Sequence, residues 1–234
     1  MHTKNINTHR IEIRDYFMAA ISVDCVIFGF DEDELKVLLI KSDLKEYKGK
    51  PSLLGDIVHP DEDLETAAYR VLRDRTGLEN VYMEQVQAFG GINRHPAGRV
   101  VTIAFYSLVN IQHSELKTQE NELHWHSMKD ITDMAFDHKD ILDTCYQRLQ
   151  AKVIDQPVGF NLLPKKFSLR DLQNLYEAIL DVKLDRRNFR KKFFAMDYLV
   201  DLNEEEKDVR HRPARLYKFN HDKYNLHHKK NLGF

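Results

Sequence analysis

Residues 55–78 read GDIVHPDEDLETAAYRVLRDRTGL, and their pattern decides the fold. Asp63 is a residue type that accepts from the orphan N–H groups of a first helical turn, so a helix is expected to start there. Leu64, Ala67, Ala68, Val71 and Leu72 recur at i, i+3, i+4, i+7 and i+8, which makes one apolar stripe. Thr76-Gly77 ends the helix, the glycine supplying a left-handed C-terminal conformation.

This loop and helix resemble the Nudix box, G-x5-E-x7-R-E-U-x-E-E-x-G-U with U aliphatic. Glu62, Arg70, Leu72, Gly77 and Leu78 stand on box positions. Asp56 takes the box glycine position with Gly55 just before it, and Asp61 sits where a glycine is usual. The three helix glutamates fall at Val71, Asp74 and Arg75. These positions are spaced i, i+3 and i+4 and share one helix face. In active Nudix hydrolases that face holds Mg²⁺, which takes carboxylate oxygens and substrate phosphate. Here it offers one short carboxylate, one apolar group and one cation that would repel the ion. The resemblance therefore implies a domain that folds and binds a ligand, with no catalytic residue, no metal site and no cofactor. The alternative is that Val71 extends the core stripe while another carboxylate recruits the metal.

A length of 234 residues allows one large domain or two small ones. With 42% hydrophobic and 31% charged residues, the chain has the composition of a soluble globular protein. No apolar run approaches the roughly 18 residues that span a bilayer. The N-terminal MHTKNINTHRIEIRDYF has no apolar signal core, so the expected location is cytoplasmic. Cys25 and Cys145 read as buried thiols of a reducing compartment. His227-His228, in a basic tail with Lys229-Lys230, reads as solvated. The net charge of −2 hides an asymmetry. From Pro157 onward there are 17 Lys and Arg against 11 Asp and Glu, leaving 18 against 26 before it. An acidic segment joined to a basic one points to a polyanionic partner.

Taken in order, Phe17–Phe30 is an apolar run suited to a strand buried on both faces. Asp24 interrupts it, and is either paired inside the fold or lines a pocket. Leu35–Lys41 is the return strand, and Val81–Phe89 and Val100–Leu108 are further strands. Between the last two lies Gly90–Arg99, a turn-rich loop of the kind that carries ligand contacts. Trp125 and Met128 belong to a short strand and turn. A helix runs from Phe136-Asp137-His138 to about Val153. Buried strands alternating with helices argue an α/β fold. With the box, the expectation is a Nudix α/β/α sandwich with a mixed sheet, followed by a winged helix-turn-helix.

The expected boundary is Gln156-Pro157-Val158-Gly159, giving units 1–156 and 157–234. Ser168 and Asp171 fit a capping box. Leu172, Leu175, Tyr176, Ile179 and Leu180 form an apolar face. The turn Asp181–Leu184 then leads into a second helix at Asp185, which is helix-turn-helix spacing. Phe189, Phe193 and Met196 face inward, leaving Arg186, Arg187, Asn188, Arg190 and Lys191 outside. Arginine can be bidentate to guanine and asparagine to adenine. A basic solvated helix is the bland alternative. Tyr198–Asp201 and Ala214–Phe219 read as two strands of a wing, with Asn203-Glu204-Glu205-Glu206 in the loop pointing away from DNA. Arg210, Arg212 or Arg215 is then expected to lie nearer phosphate.

The altered box followed by GFNLLPKKFSLRDLQNLYEAILDVKLDRRNFRKKF resembles the Nudix-related transcriptional regulators of bacteria. That resemblance implies a ligand-sensing Nudix module, a homodimer, and a winged helix on a palindromic double-stranded operator. Members sense ADP-ribose or, in one branch, a pentose. The arabinose-responsive branch of Bacteroidetes has LENVYMEQV, here Leu78–Val86, and RVV-x-IA, here Arg99–Ala104. The expectation is therefore a repressor of sugar catabolism with L-arabinose as effector. The alternatives are an ADP-ribose-sensing regulator of NAD metabolism and a divergent Mg²⁺-dependent hydrolase. Candidate ligand contacts are Asp24, Asp56, His59, Arg99, Asp137 and His138, since carboxylates and imidazoles suit sugar hydroxyls. An ADP-ribose ligand would call for more phosphate-binding cations nearby than Arg94 and Arg99.

Overall fold

A computed structural model describes residues 19–31, 33–114, 116, 123–207 and 212–224. Expectations placed on residues 1–18, on Arg210 and on the tail with His227-His228 and Lys229-Lys230 lie outside them.

The apolar run beginning at residue 17 appears as β1 (Ala20–Asp31), which turns at Asp33 into β2 (Glu34–Lys41). Two short strands follow, β3 (Pro51–Ser52) and β4 (Leu54–Ile57), and then the box helix α1 (Leu64–Thr76). Next come β5 (Tyr82–Phe89), β6 (Val100–Asn110), β7 (His124–Ser127) and α2 (His138–Asp155). Among the described residues these seven strands form one sheet, in the order β3-β2-β1-β6-β5, with β4 also paired to β1 and β7 to β2. β1 and β6 run parallel and the remaining pairs antiparallel, so the sheet is mixed.

β1 is buried on both faces because a helix covers each. Alternate residues of a strand point to opposite sides. Val23, Cys25 and Ile27 pack with Ala67, Ala68, Val71 and Leu72 of α1. Val26, Phe28 and Phe30 pack with Ile141, Leu142, Cys145 and Leu149 of α2. Val71 is 2% exposed and belongs to this core. The helix ends are as the sequence dictates. The Asp63 side chain accepts from Thr66 N–H, and Gly77 closes the last turn at φ 71°. Both cysteines are free and buried, and burial pushes their thiols up, Cys145 to about 12. On β5, Glu84 accepts from Arg148 and Lys152 of α2 and from the hydroxyls of Tyr82 and Tyr106. Burial works against its charge, but the donors prevail and hold it at about 2.

Gln156 caps α2, and Pro157–Leu162 forms a 3-10 turn where the two expected units meet. Beyond it lie β8 (Phe167–Ser168), α3 (Leu169–Leu180), α4 (Arg186–Ala195), β9 (Leu199–Glu205) and β10 (Arg215–Phe219). β8, β10 and β9 form a small sheet in that order. Ser168 and Asp171 make the full reciprocal capping box. The wing differs from expectation: β9 continues through Asn203, Glu204 and Glu205 instead of ending at Asp201. Cations hold two acids of this stretch: Lys166, just before β8, on Glu204 at 2.6 Å, and Arg170 of α3 on Glu206, just past β9, at 2.9 Å.

The core on the α2 side does not stop at the boundary. It continues through Phe160, Leu162 and Leu163 into Leu172, Leu175, Tyr176, Ile179, Phe189 and Phe193. Three side-chain amides cross as well. Asn110 Nδ2 donates to Leu162 O, Gln150 Nε2 to Ile179 O and Asn174 Nδ2 to Asp33 Oδ1, each at 2.9 Å.

Candidate functional site

The six expected ligand contacts separate into three places. Asp24, Asp137 and His138 converge. Asp24 lies on β1 opposite Gly55 of β4, and only a glycine fits there. A Cβ on Gly55 would stand 2.2 Å from Asp24 Oδ1 and 2.8 Å from the Val23 carbonyl oxygen. His138 opens α2, and its Nδ1 accepts the Leu53 N–H at 3.0 Å. The ring proton therefore sits on Nε2, which faces Asp24 Oδ1 at 3.6 Å. Burial lowers the His138 pKa against the pull of Asp24 and Asp137, so the ring is neutral near pH 7. Asp137 holds the N-cap position of α2 but makes no capping bond. Its carboxylate instead accepts two hydrogen bonds from Arg94, from Nε at 2.8 Å and Nη2 at 2.7 Å.

Arg94 is not among the six, yet it is the centre of this cluster. Its side chain is 5% exposed, and Nη2 also lies 3.4 Å from Asp24 Oδ2. An aromatic group stands beside it. His95 stacks on Phe136 at 5.1 Å and 7°, and Tyr47 and His138 flank the same ring at 4.5 and 4.8 Å. Phe136 has φ 54°, a left-handed conformation uncommon for a bulky side chain, which such over-determined contacts sustain.

Asp56 and His59 lie on the box loop, in a separate knot centred on Arg70. That guanidinium donates to both oxygens of Glu62 at 2.9 and 2.7 Å, to Asp56 at 3.0 Å and to the Ile57 carbonyl at 2.9 Å. Hydrogen bonds from Arg70 and from His59 N–H hold Glu62 down at about 2. Arg70 and Glu62 thus shape the loop. Arg99 stands at the third place. Its Nη1 donates to the carbonyls of Gly90 and Gly91 at 2.6 and 2.8 Å and closes the neck of the β5–β6 loop.

The donor set does not fit catalytic magnesium. On the α1 face Val71 is turned into the core, Arg75 is a cation, and Asp74 pairs with Arg73 at 2.8 Å. Glu62 is taken by Arg70. Among the described residues no cluster of three or more His, Cys, Asp or Glu could hold a metal. Nor is any helix among them long and apolar enough to cross a membrane.

At the other end, α4 buries Phe189 and Phe193 against Tyr176 at 5.7 and 5.1 Å. Arg186, Arg187, Asn188, Arg190 and Lys191 are all exposed. The first turn of α4 contains no acid. The N-cap carboxylate of Asp185 accepts from Asn188 N–H at 2.9 Å and offsets part of the cost of placing arginines at the positive end of the helix dipole, a cost that a bound anion would reduce further. The turn before α4 is pinned by residues that the spacing does not reveal. Gln173 Nε2 donates to Leu184 O at 2.9 Å, and Glu177 accepts from Leu184 N–H at 3.1 Å. Arg212 is exposed, while Arg215, expected on phosphate, reaches Asp201 of its own wing at 2.9 Å.

Residues 18–145 match the NUDIX domain family and residues 159–219 match the NrtR DNA-binding winged helix domain. The chain is 33% identical over 210 residues to the ADPR responsive transcriptional repressor NtrR of Acinetobacter baylyi, covering 88% of this chain and 84% of that protein. It superposes on Shewanella oneidensis NrtR complexed with a 27mer DNA with a TM-score of 0.77 at 27% identity, over 88% of this chain and 95% of the other. The NUDIX domain of the same NrtR complexed with ADP ribose aligns with a TM-score of 0.53 at 25% identity, over 60% and 94% of the two chains. This chain belongs to the NrtR-type regulators, in which a NUDIX domain is followed by an NrtR DNA-binding winged helix.

Proposed function

We propose that the chain is a ligand-responsive repressor that binds double-stranded DNA through α4 and senses ADP-ribose with a Nudix domain that does not turn it over. The observation that carries the DNA part is the exposed basic side of α4, whose opposite side is seated in the core shared with the Nudix domain. Arg186, Arg187, Asn188, Arg190 and Lys191 read the duplex, and Arg212, exposed between β9 and β10, is a further cation for its phosphates. Arg215 contributes only by exchanging Asp201 for phosphate. A homodimer on a palindromic operator would set two such helices about one helical turn apart, ~34 Å.

For the effector, relatives named for ADP-ribose support that ligand over L-arabinose, and leave sugar catabolism without support. Asp24, Asp137 and neutral His138 present the acceptors and donor that ribose hydroxyls need. Asp56, His59 and Arg99 serve indirectly, by shaping the box loop and the β5–β6 neck. Effector binding shifts the DNA-competent population by as much as its affinity differs between the two states. The core runs on from α2 into the winged helix, and α2 begins at His138, so a change at the Asp24, Asp137 and His138 cluster has a packed path to the DNA-reading end.

The test is a melting screen of the full chain against ADP-ribose, AMP, ribose and L-arabinose. ADP-ribose at a hundred times its Kd is expected to stabilise the chain by about 2.7 kcal/mol. A shift with L-arabinose and none with ADP-ribose would return the effector to the pentose class.

A further inference from the structure

We propose that Arg94 is an internal stand-in for the effector: its guanidinium occupies the donor positions against Asp24 and Asp137, and ADP-ribose displaces it and takes it over as a diphosphate contact. The inference rests on ADP-ribose being the effector.

The β5–β6 loop is built for such an exchange. Its neck is fixed by Arg99 on the Gly90 and Gly91 carbonyls. Its tip is exposed, Ile92 at 79%. Between them the loop is fastened by Arg94 on the two carboxylates and by His95 on the ring of Phe136. Gly98, at φ +130°, gives the returning limb a backbone that other residues rarely adopt. When the tip swings out, Arg94 and His95 leave together and the face of Phe136 is uncovered.

Charge decides which ligands can drive this. Asp24 and Asp137 have side chains 8% and 22% exposed. Withdrawing Arg94 leaves them unneutralised in a poorly solvated place, which is costly unless new donors arrive. Ribose hydroxyls supply those donors. The freed guanidinium also needs a partner, and a diphosphate matches its fork. A free pentose brings hydroxyls but no anion, so it cannot complete the exchange. This explains how a site with few standing cations can take a doubly phosphorylated ligand: the cation is already present, turned inward onto carboxylates.

Two measurements on the full chain test this. The first attaches a fluorophore to Ile92→Cys, where labelling is selective because both native cysteines are buried. Saturating ADP-ribose is expected to shift its emission, and L-arabinose is not. The second compares ADP-ribose and ribose affinity by calorimetry in the unaltered chain, Arg94→Ala and Arg94→Lys. Alanine removes both the competitor for the carboxylates and the diphosphate contact, so the preference for ADP-ribose over ribose is expected to fall about tenfold or more, with Lys recovering part of it. ADP-ribose binding with a silent label at position 92, or a preference for ADP-ribose over ribose in Arg94→Ala equal to that of the unaltered chain, would overturn the exchange. An unaltered chain that does not bind ADP-ribose at all would remove the effector assignment, and the exchange with it.

Discussion

Replacing Arg187 and Arg190 together with alanine is expected to weaken binding to the cognate duplex at least about 30-fold. Both side chains project from the exposed side of α4, in a segment with no acid in its first turn. A base-reading arginine contributes about 1–3 kcal/mol of discrimination, so two of them reach or exceed the ~2 kcal/mol that corresponds to this factor. Where either arginine neutralises a phosphate, the salt dependence changes too. The slope of log affinity against log salt becomes shallower by ~0.9 for each phosphate that no longer meets a cation. The measurement is fluorescence anisotropy of a labelled duplex over a salt series. Affinity and slope that both stay put would take α4 out of the interface.

Phe160→Ala is expected to destabilise the chain strongly, by about 3–5 kcal/mol. Phe160 lies in the turn between the two units and is 9% exposed. Its ring stacks on Phe219 at 4.3 Å and meets Phe167 at 5.4 Å and Phe193 at 6.4 Å. The matched winged-helix segment, residues 159–219, has a length at which a lone core is marginal, so this shared aromatic group weighs heavily in its stability. Against a total stability of about 5–15 kcal/mol, the loss is large. Denaturant unfolding measures it, and DNA binding should fall even though no α4 arginine is altered. A loss under about 1 kcal/mol would mean that the cluster is not what seats the winged helix.

Local signals are legible in the sequence where neighbouring residues decide the structure. The cap at Asp63, the αL turn at Gly77 and the capping box at Ser168 and Asp171 depend only on residues a few positions away. The burial of β1 on both faces follows from its apolar run, which holds on either side of Asp24. Arg94 is hidden for the opposite reason. Its partners stand 43 and 70 positions away, and the Gly-Asn-Pro composition around it signals only a turn. The wing is longer than its sequence suggests because Asn203 and three glutamates have the composition of a loop, whereas Lys166 and Arg170 neutralise two of the acids and β9 runs on. The pentose expectation rests on segments that pack the fold. Leu78, Val100, Ile103 and Ala104 of these segments are buried at 8% exposure or less, and Arg99 closes the neck of its own loop, so the residues they share with that branch pack the fold as much as they face a ligand.

A Nudix pocket without a magnesium-holding face is proposed to report ADP-ribose, unconsumed, to the DNA-reading helix. The most direct measurement titrates ADP-ribose into the full chain bound to a duplex selected from a random-sequence pool, with Mg²⁺ present, and analyses the nucleotide afterwards. The expected result is a changed affinity for the duplex with ADP-ribose recovered intact. Turnover to AMP and ribose 5-phosphate at even ~1 s⁻¹, or a DNA affinity indifferent to ADP-ribose, would contradict it.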